Sequence, residues 1–188
     1  MKTLKSIFAV TLVSVFFMSC SDDDDANPLP INEEEVITTL TVTLSPPTGT
    51  PITLQFRDLD GDGPDDPVIT VSSALQANTI YSSSLDLLNE TVNPAESITE
   101  EVEEEAEEHQ FFFSSSNELL TTTYADADAD GNPIGLSFSL TTTTVGVDVF
   151  TVTLRHEPNK AAEGVSTGDI TNAGGETDVS VSFPVTIE

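Results

Sequence analysis

The chain has no tryptophan, a single cysteine and only five basic residues, and each scarcity removes a class of explanation. One cysteine excludes an internal disulfide, so the fold must be held by packing and, where donors converge, by metal ions. With Tyr81 and Tyr124 as the whole tyrosine complement, little is available for stacking sugars. Two of the five cations, Lys2 and Lys5, precede a short apolar stretch; the others are Arg57, Arg155 and Lys160, set against 33 acidic residues. A surface of that sign repels nucleic acid, whose binding needs clustered lysine and arginine. It repels anionic lipid headgroups for the same reason. Cations are its natural counter-species. Nucleophile-elbow, H-E-x-x-H and P-loop patterns are missing too, so no enzymatic activity is expected.

Apolar length is scarce as well. The stretch from Ile7 to Met18 has the length of a signal-peptide core and is too short to span a bilayer. It ends in Phe17-Met18-Ser19-Cys20, a loose lipobox, followed at once by Ser21 and Asp22 to Asp25. Residues 1–19 therefore read as a lipoprotein signal peptide and Cys20 as the lipidated first residue of the mature chain. The alternative is a secretory signal followed by a buried free cysteine. Cleavage removes both signal lysines, leaving three cations against 33 acids, a net charge of −30 in place of −28. Attachment must then come from the acyl chains. Residues 20–35, acidic and proline-containing, read as a tether, and 36–188 as one domain; about 150 residues suffice for a real core.

Threonine, serine and valine recur in short alternating segments, the signature of half-buried strands. The segments are Val36–Leu44, Ile52–Asp58, Pro67–Ser73, Thr79–Leu88, Gln110–Ser115, Leu119–Tyr124, Leu136–Val145, Val149–Arg155 and Asp178–Ile187. Glycine, proline and aspartate clusters separate them, as at Ser45–Gly49, Asp60–Pro64, Asp130–Pro133 and Asn172–Gly175. The expected fold is all-β: a single Ig-like or Greek-key β-sandwich of seven to nine strands. Apolar residues at Ile98, Val102 and Ala106 keep helical spacing, and Ser97 with Glu100 forms a capping box, so one short acidic helix is expected near 96–108. The glutamates of 100–108 are its solvated face, and His109 is expected to close its last turn. Phe111-Phe112-Phe113 reads as a core strand whose Phe112 faces away from its neighbours, available to a partner.

Several stretches resemble a group of flavobacterial lipoproteins of the Bacteroidota, often encoded beside TonB-dependent outer-membrane receptors. They are Cys20 with its aspartates, Leu88-Asn89-Glu90, Ile98 to Gln110, Asp130 to Leu136, and Leu154 to Thr177. The acidic run after the cysteine resembles the signal by which such bacteria export lipoproteins to the cell surface. The resemblance implies an outer-membrane, surface-exposed location and a TonB-dependent receptor as partner. Similar sequences are sometimes labelled as type 1 periplasmic binding folds. That architecture needs two α/β lobes and nearly twice this length, with alternating helices that are missing here.

Two loops carry the spacing of calcium ligands. Asp58, Asp60, Asp62 and Asp66 occupy positions 1, 3, 5 and 9 with Gly63 at position 6, but position 12 is Ile69. Asp126, Asp128 and Asp130 repeat positions 1, 3 and 5 with Gly131 at 6, without acids later in the loop. Each is either a calcium site or an Asp/Gly turn between strands.

The two histidines are the sharper feature. Glu105 lies one helical turn before His109, and Glu157 follows His156 directly. If the imidazoles converge, His109, His156, Glu105 and Glu157 form a donor set suited to zinc or another borderline divalent ion. If they do not, each is a surface or capping residue. The leading expectation is a surface-exposed lipoprotein that binds a metal ion or metal-bearing ligand, accessory to a TonB-dependent receptor. The alternative is a structural or adhesive sandwich, stiffened by calcium, with no transported ligand.

Overall fold

In a computed structural model, residues 35–61 and 63–188 are described. Cys20, the expected signal peptide, the expected tether before Glu35, and Asp62 lie outside them. The described residues form an all-β fold of two antiparallel sheets with one short helix, as the alternating segments require.

The larger sheet holds β1 (Thr39–Ser45), β2 (Ile52–Arg57), β3 (Val68–Val71) and β4 (Ile80–Asn89). It also takes in β5 (Glu96–Ser97), β7 (Leu120–Tyr124) and β8 (Ser137–Thr142), in the order β3-β2-β1-β4-β8-β7 with β5 paired to β4. The smaller sheet holds β6 (His109–Ser115), β9 (Gly146–His156) and β10 (Glu176–Ile187), in the order β10-β9-β6. Among the described residues ten strands stand where seven to nine were expected; the addition is β5, two residues with no periodicity of their own.

The period-2 pattern decides which residues enter the core. Leu40, Val42 and Leu44 of β1 and Leu85 and Leu87 of β4 face Phe111, Phe150, Val152, Leu154 and Phe183 across the sandwich. Phe113 packs at 4.2 Å, centroid to centroid, on Phe138 and at 5.9 Å on Phe150, joining the sheets. Full burial of each such side chain stabilises by about 1.5–3 kcal/mol.

The helix α1 (Ile98–Glu104) is shorter than the expected 96–108. Ser97 caps it by accepting from the Glu100 amide, and Ile98, Val102 and Ala106 are buried as their spacing requires. Past Glu105 the chain turns, and His109 opens β6 instead of closing the helix. Phe112 also departs from expectation. It does face away from Phe111 and Phe113, but Val165, Ala173 and Ala162 cover it and leave it 3 % exposed. Among the described residues no helix is long and apolar enough to cross a membrane.

Candidate metal centre

β6 and β9 pair with His109 directly opposite His156. Both histidines extend the inward-facing rows of their strands, Phe111 and Phe113 on one and Leu154, Val152 and Phe150 on the other. The imidazoles therefore meet at the end of the core, with ring centroids 4.6 Å apart and planes 28° from parallel. They converge, as the metal reading of the sequence requires.

The carboxylates that gather with both imidazoles are not the expected ones; of the expected pair, Glu157 groups with His156 alone. Glu35, the last residue of the sequence-defined tether, lies with its Oε1 2.9 Å from His109 Nε2 and its Oε2 3.9 Å from His156 Nδ1. Asp178 places Oδ2 4.0 Å from His109 Nε2. One donor atom from each of Glu35, His109, His156 and Asp178 lies within 4.8 Å of the others. Their side chains are 6 %, 0 %, 7 % and 3 % exposed, so the cluster is nearly sealed from water. Glu105 contributes only its main chain, whose carbonyl accepts from His109 Nδ1 at 3.2 Å; its side chain is exposed. Glu157 is exposed and falls with Glu108 on the far side of His156.

A backbone irregularity brings Asp178 inward. In the β9–β10 register Thr177 faces Arg155 and Val179 faces Leu154, so Asp178 is the extra residue of a β-bulge. Strict alternation from Val179 and Val181 would put it on the solvent face; the bulge re-aims it beside His156. Glu35 is fixed by the lead into β1, where Thr38 donates its amide to Leu88 and its hydroxyl accepts from the Glu90 amide.

Burial raises the Glu35 carboxyl, but the hydrogen bond from His109 and the charge of both imidazoles outweigh it and hold the group below the usual glutamate range. Burial likewise lowers His109, and the hydrogen bond to Glu35 with the charges of Glu35 and Asp178 leaves it raised. Each partner thus favours the charged form of the other. Burial and the charge of Glu35 push Asp178 up to about 6. Glu35 Oε2 and Asp178 Oδ2 are buried with no hydrogen-bond partner among the described residues, an arrangement that is costly unless something else satisfies them.

The donor chemistry fits a borderline divalent ion. A carbonyl accepts only, so His109 Nδ1 carries hydrogen whether the ring is neutral or charged, and Nε2 is the nitrogen that would give up its proton to take a metal, the orientation that outer hydrogen bonds give to metal-binding histidines. Two neutral imidazoles and two carboxylates around a dication sum to zero charge, a balance suited to burial. A tetrahedral zinc ion with bonds of about 2.0–2.2 Å would hold its donors about 3.4 Å apart, within about 0.6 Å of the 2.9, 3.9 and 4.0 Å separations here.

The aspartate loops are differently employed. Asp126 accepts from the amides of Gly135 and Ser137, at 2.8 and 2.7 Å. Asp128 accepts from the amides of Asp130 and Asn132 and from Lys160 Nζ at 2.9 Å. Lys160 is buried and donates also to the carbonyls of Ala106 and Pro133, so Asp128 holds an ammonium where a calcium ion would sit. Asp130 is exposed. In the other loop, Asp58 accepts from the Asp60 and Gly61 amides and Asp60 from the Asp65 amide, while Asp66 is exposed.

No family model, curated protein or solved structure matches the chain.

Proposed function

We propose that the protein is a non-catalytic, lipid-anchored outer-membrane protein whose sandwich binds one divalent transition-metal ion, zinc foremost, through Glu35, His109, His156 and Asp178. The carrying observation is the sealed cluster of two opposed imidazoles and two carboxylates, each carboxylate with an oxygen lacking a partner. The lipid anchor at Cys20, surface display and a TonB-dependent receptor as partner belong to the same reading. Their support is the lipobox, the aspartates that follow it and the resemblance of sequence.

Burial favours a particular use of the ion. All four donors are nearly closed to water, so no coordination position faces solvent, the arrangement of a retained ion rather than a reactive one. Glu35 stands at the start of the domain and the other three donors on the small sheet. A bound ion therefore ties the lead into β1 to β6, β9 and β10.

Zinc titration of the full chain in detergent, followed by calorimetry, tests the site. One ion per chain is expected, with affinity lost in both His109→Ala and His156→Ala. Wild-type binding by both variants would overturn the metal assignment. The anchor is tested separately: fatty-acid labelling should vanish in Cys20→Ser, and labelling that persists removes lipidation at that residue.

A further inference from the structure

We propose that His156 serves two ion-binding stations and hands an ion from one to the other. The outer station is its Nε2 with the carboxylates of Glu108 and Glu157; the inner one is its Nδ1 with Glu35, His109 and Asp178. The inference rests on the metal reading of the buried cluster and adds the route by which that cluster fills.

The ring stands between two sets of carboxylates. Nδ1 lies 3.9 Å from Glu35 Oε2 on the inner side, and Nε2 lies 3.7 Å from Glu108 Oε2 on the outer side. Donor atoms of Glu108, His156 and Glu157 come within 4.8 Å of one another, a second group that shares only His156 with the first. Neither separation is a hydrogen bond, so the 7 % exposed imidazole is committed to neither side. His109 differs: both of its nitrogens are engaged, one with the Glu105 carbonyl and one with Glu35. Among the described residues, His156 is the donor of the cluster that holds no hydrogen-bond partner and can change sides.

The backbone holds the outer acids in place. Glu157 donates its amide to the Glu108 carbonyl at 2.7 Å and has a φ of 49°, in the left-handed region that non-glycine residues seldom adopt. Glu108 is 58 % exposed and Glu157 is also exposed, so a hydrated cation attracted by the acidic surface can exchange water for these oxygens first. The inner donors offer no such foothold. Passage across the imidazole lets the remaining water leave in steps.

A neutral imidazole has one lone pair and one N–H, so His156 holds an ion at one nitrogen at a time: as the ion leaves Nε2 for Nδ1, the Nδ1 proton is released to water and Nε2 takes one up from water on the exposed Glu108 side, and the stations exchange rather than fill together. An imidazole in the path also selects the class of ion. Borderline first-row dications accept nitrogen, whereas calcium and magnesium take oxygen.

The test is zinc uptake by the full chain in detergent, timed by competition with a fluorescent chelator. Glu108→Gln with Glu157→Gln is expected to slow uptake by about tenfold while leaving the equilibrium affinity of the buried site nearly unchanged. Release must then slow by the same factor. A control, Glu103→Gln with Glu104→Gln, removes the same charge from exposed positions in the last turn of α1. It should load at the wild-type rate. Equal slowing in the control would assign the effect to general attraction and overturn the station, as would wild-type uptake by the Glu108/Glu157 variant. A third variant, His109→Ala with Asp178→Asn, should keep one weak zinc site that disappears when Glu108 and Glu157 are also changed. If the wild type binds no zinc, the buried site itself is wrong and the station falls with it. Tight binding with unchanged rates removes the station alone.

Discussion

Replacing Asp178 by asparagine should act in opposite directions on the metal-free and zinc-bound protein. In the folded chain burial and the nearby charge of Glu35 raise this carboxyl from an ordinary 3.8 to about 6, and its Oδ2 has no hydrogen-bond partner. Below pH 3.8 the group is protonated in both the folded and the unfolded chain. Between that pH and about 6 the unfolded chain ionises and the folded chain resists, so stability is lost as the pH rises and is gone above about 6. A shift of about two units, each worth about 1.4 kcal/mol, makes the loss about 3 kcal/mol at neutral pH. Asparagine keeps the shape without the charge. In the presence of a chelator at pH 7, Asp178→Asn should therefore melt higher than the wild type, by roughly 6–12 °C for a domain of this size. The gain should vanish at pH 4. Zinc reverses the comparison. At a free concentration of about 100 times its dissociation constant it stabilises the wild type by about 2.7 kcal/mol, and the variant, short of one anionic donor, should keep less than half of that increment. Scanning calorimetry with chelator and with zinc, at pH 4 and 7, reads all four values. A variant that melts lower than the wild type in chelator at pH 7, with the zinc increment intact, would show that Asp178 is a structural partner of the imidazolium and refute the reasoning.

Three further substitutions probe the frame around the site. Gly175→Ala would set a Cβ 2.1 Å from the His156 carbonyl oxygen at a φ of +68°, so a loss of at least about 2 kcal/mol is expected, with weakened zinc binding as His156 shifts; an unchanged denaturation midpoint would contradict the packing. Asp148 accepts from the hydroxyls of Ser115 and Ser116 and the amides of Asn117, Leu119 and Val149. Burial raises its carboxyl, but these donors outweigh it and hold it down to about 2, so its contribution is present above pH 3.8 and lost as the pH falls through about 2. Asp148→Ala should lower stability at pH 7 by at least about 2 kcal/mol in urea unfolding, and a neutral effect would remove its assigned role in the β6–β7 turn. Lys160→Met should lose about 3–5 kcal/mol in the same assay, because Asp128 would keep a buried charge without its ammonium; Lys160→Met with Asp128→Asn should recover part of it.

Alternation and helical spacing made most of the fold legible. Leu40, Val42 and Leu44, or Phe150, Val152 and Leu154, fill one face of a strand and can be buried only by a second layer. Ile98, Val102 and Ala106 fit no strand and do fit a helix, and the Ser97 cap is local chemistry that needs no tertiary information. The misjudged borders have tertiary causes. β5 exists because Glu96 and Ser97 pair with Asn89 and Leu88, and Phe112 is covered because residues 162–173 fold back over it.

Residues 109 and 156 were marked by their side-chain chemistry, but nothing in their spacing states that they face each other. Their meeting is a property of strand register, which joins positions far apart in the chain. The sequence offered Glu105 and Glu157 as partners because neighbours are all that a sequence shows. Glu35 was one of three consecutive glutamates in an acidic stretch, and Asp178 sat on the solvent phase of an alternating strand. Only the lead into β1 and the bulge in β10 turn these two carboxylates inward. By itself the sequence determined the all-β class, the acidic helix, the strongly anionic composition and the two histidines whose side-chain chemistry raised the question of a metal. Which carboxylates join those imidazoles, how deeply they are buried and which carboxylates lie outside them were decided by packing two sheets together, because burial and register are properties of the layers and not of any one segment.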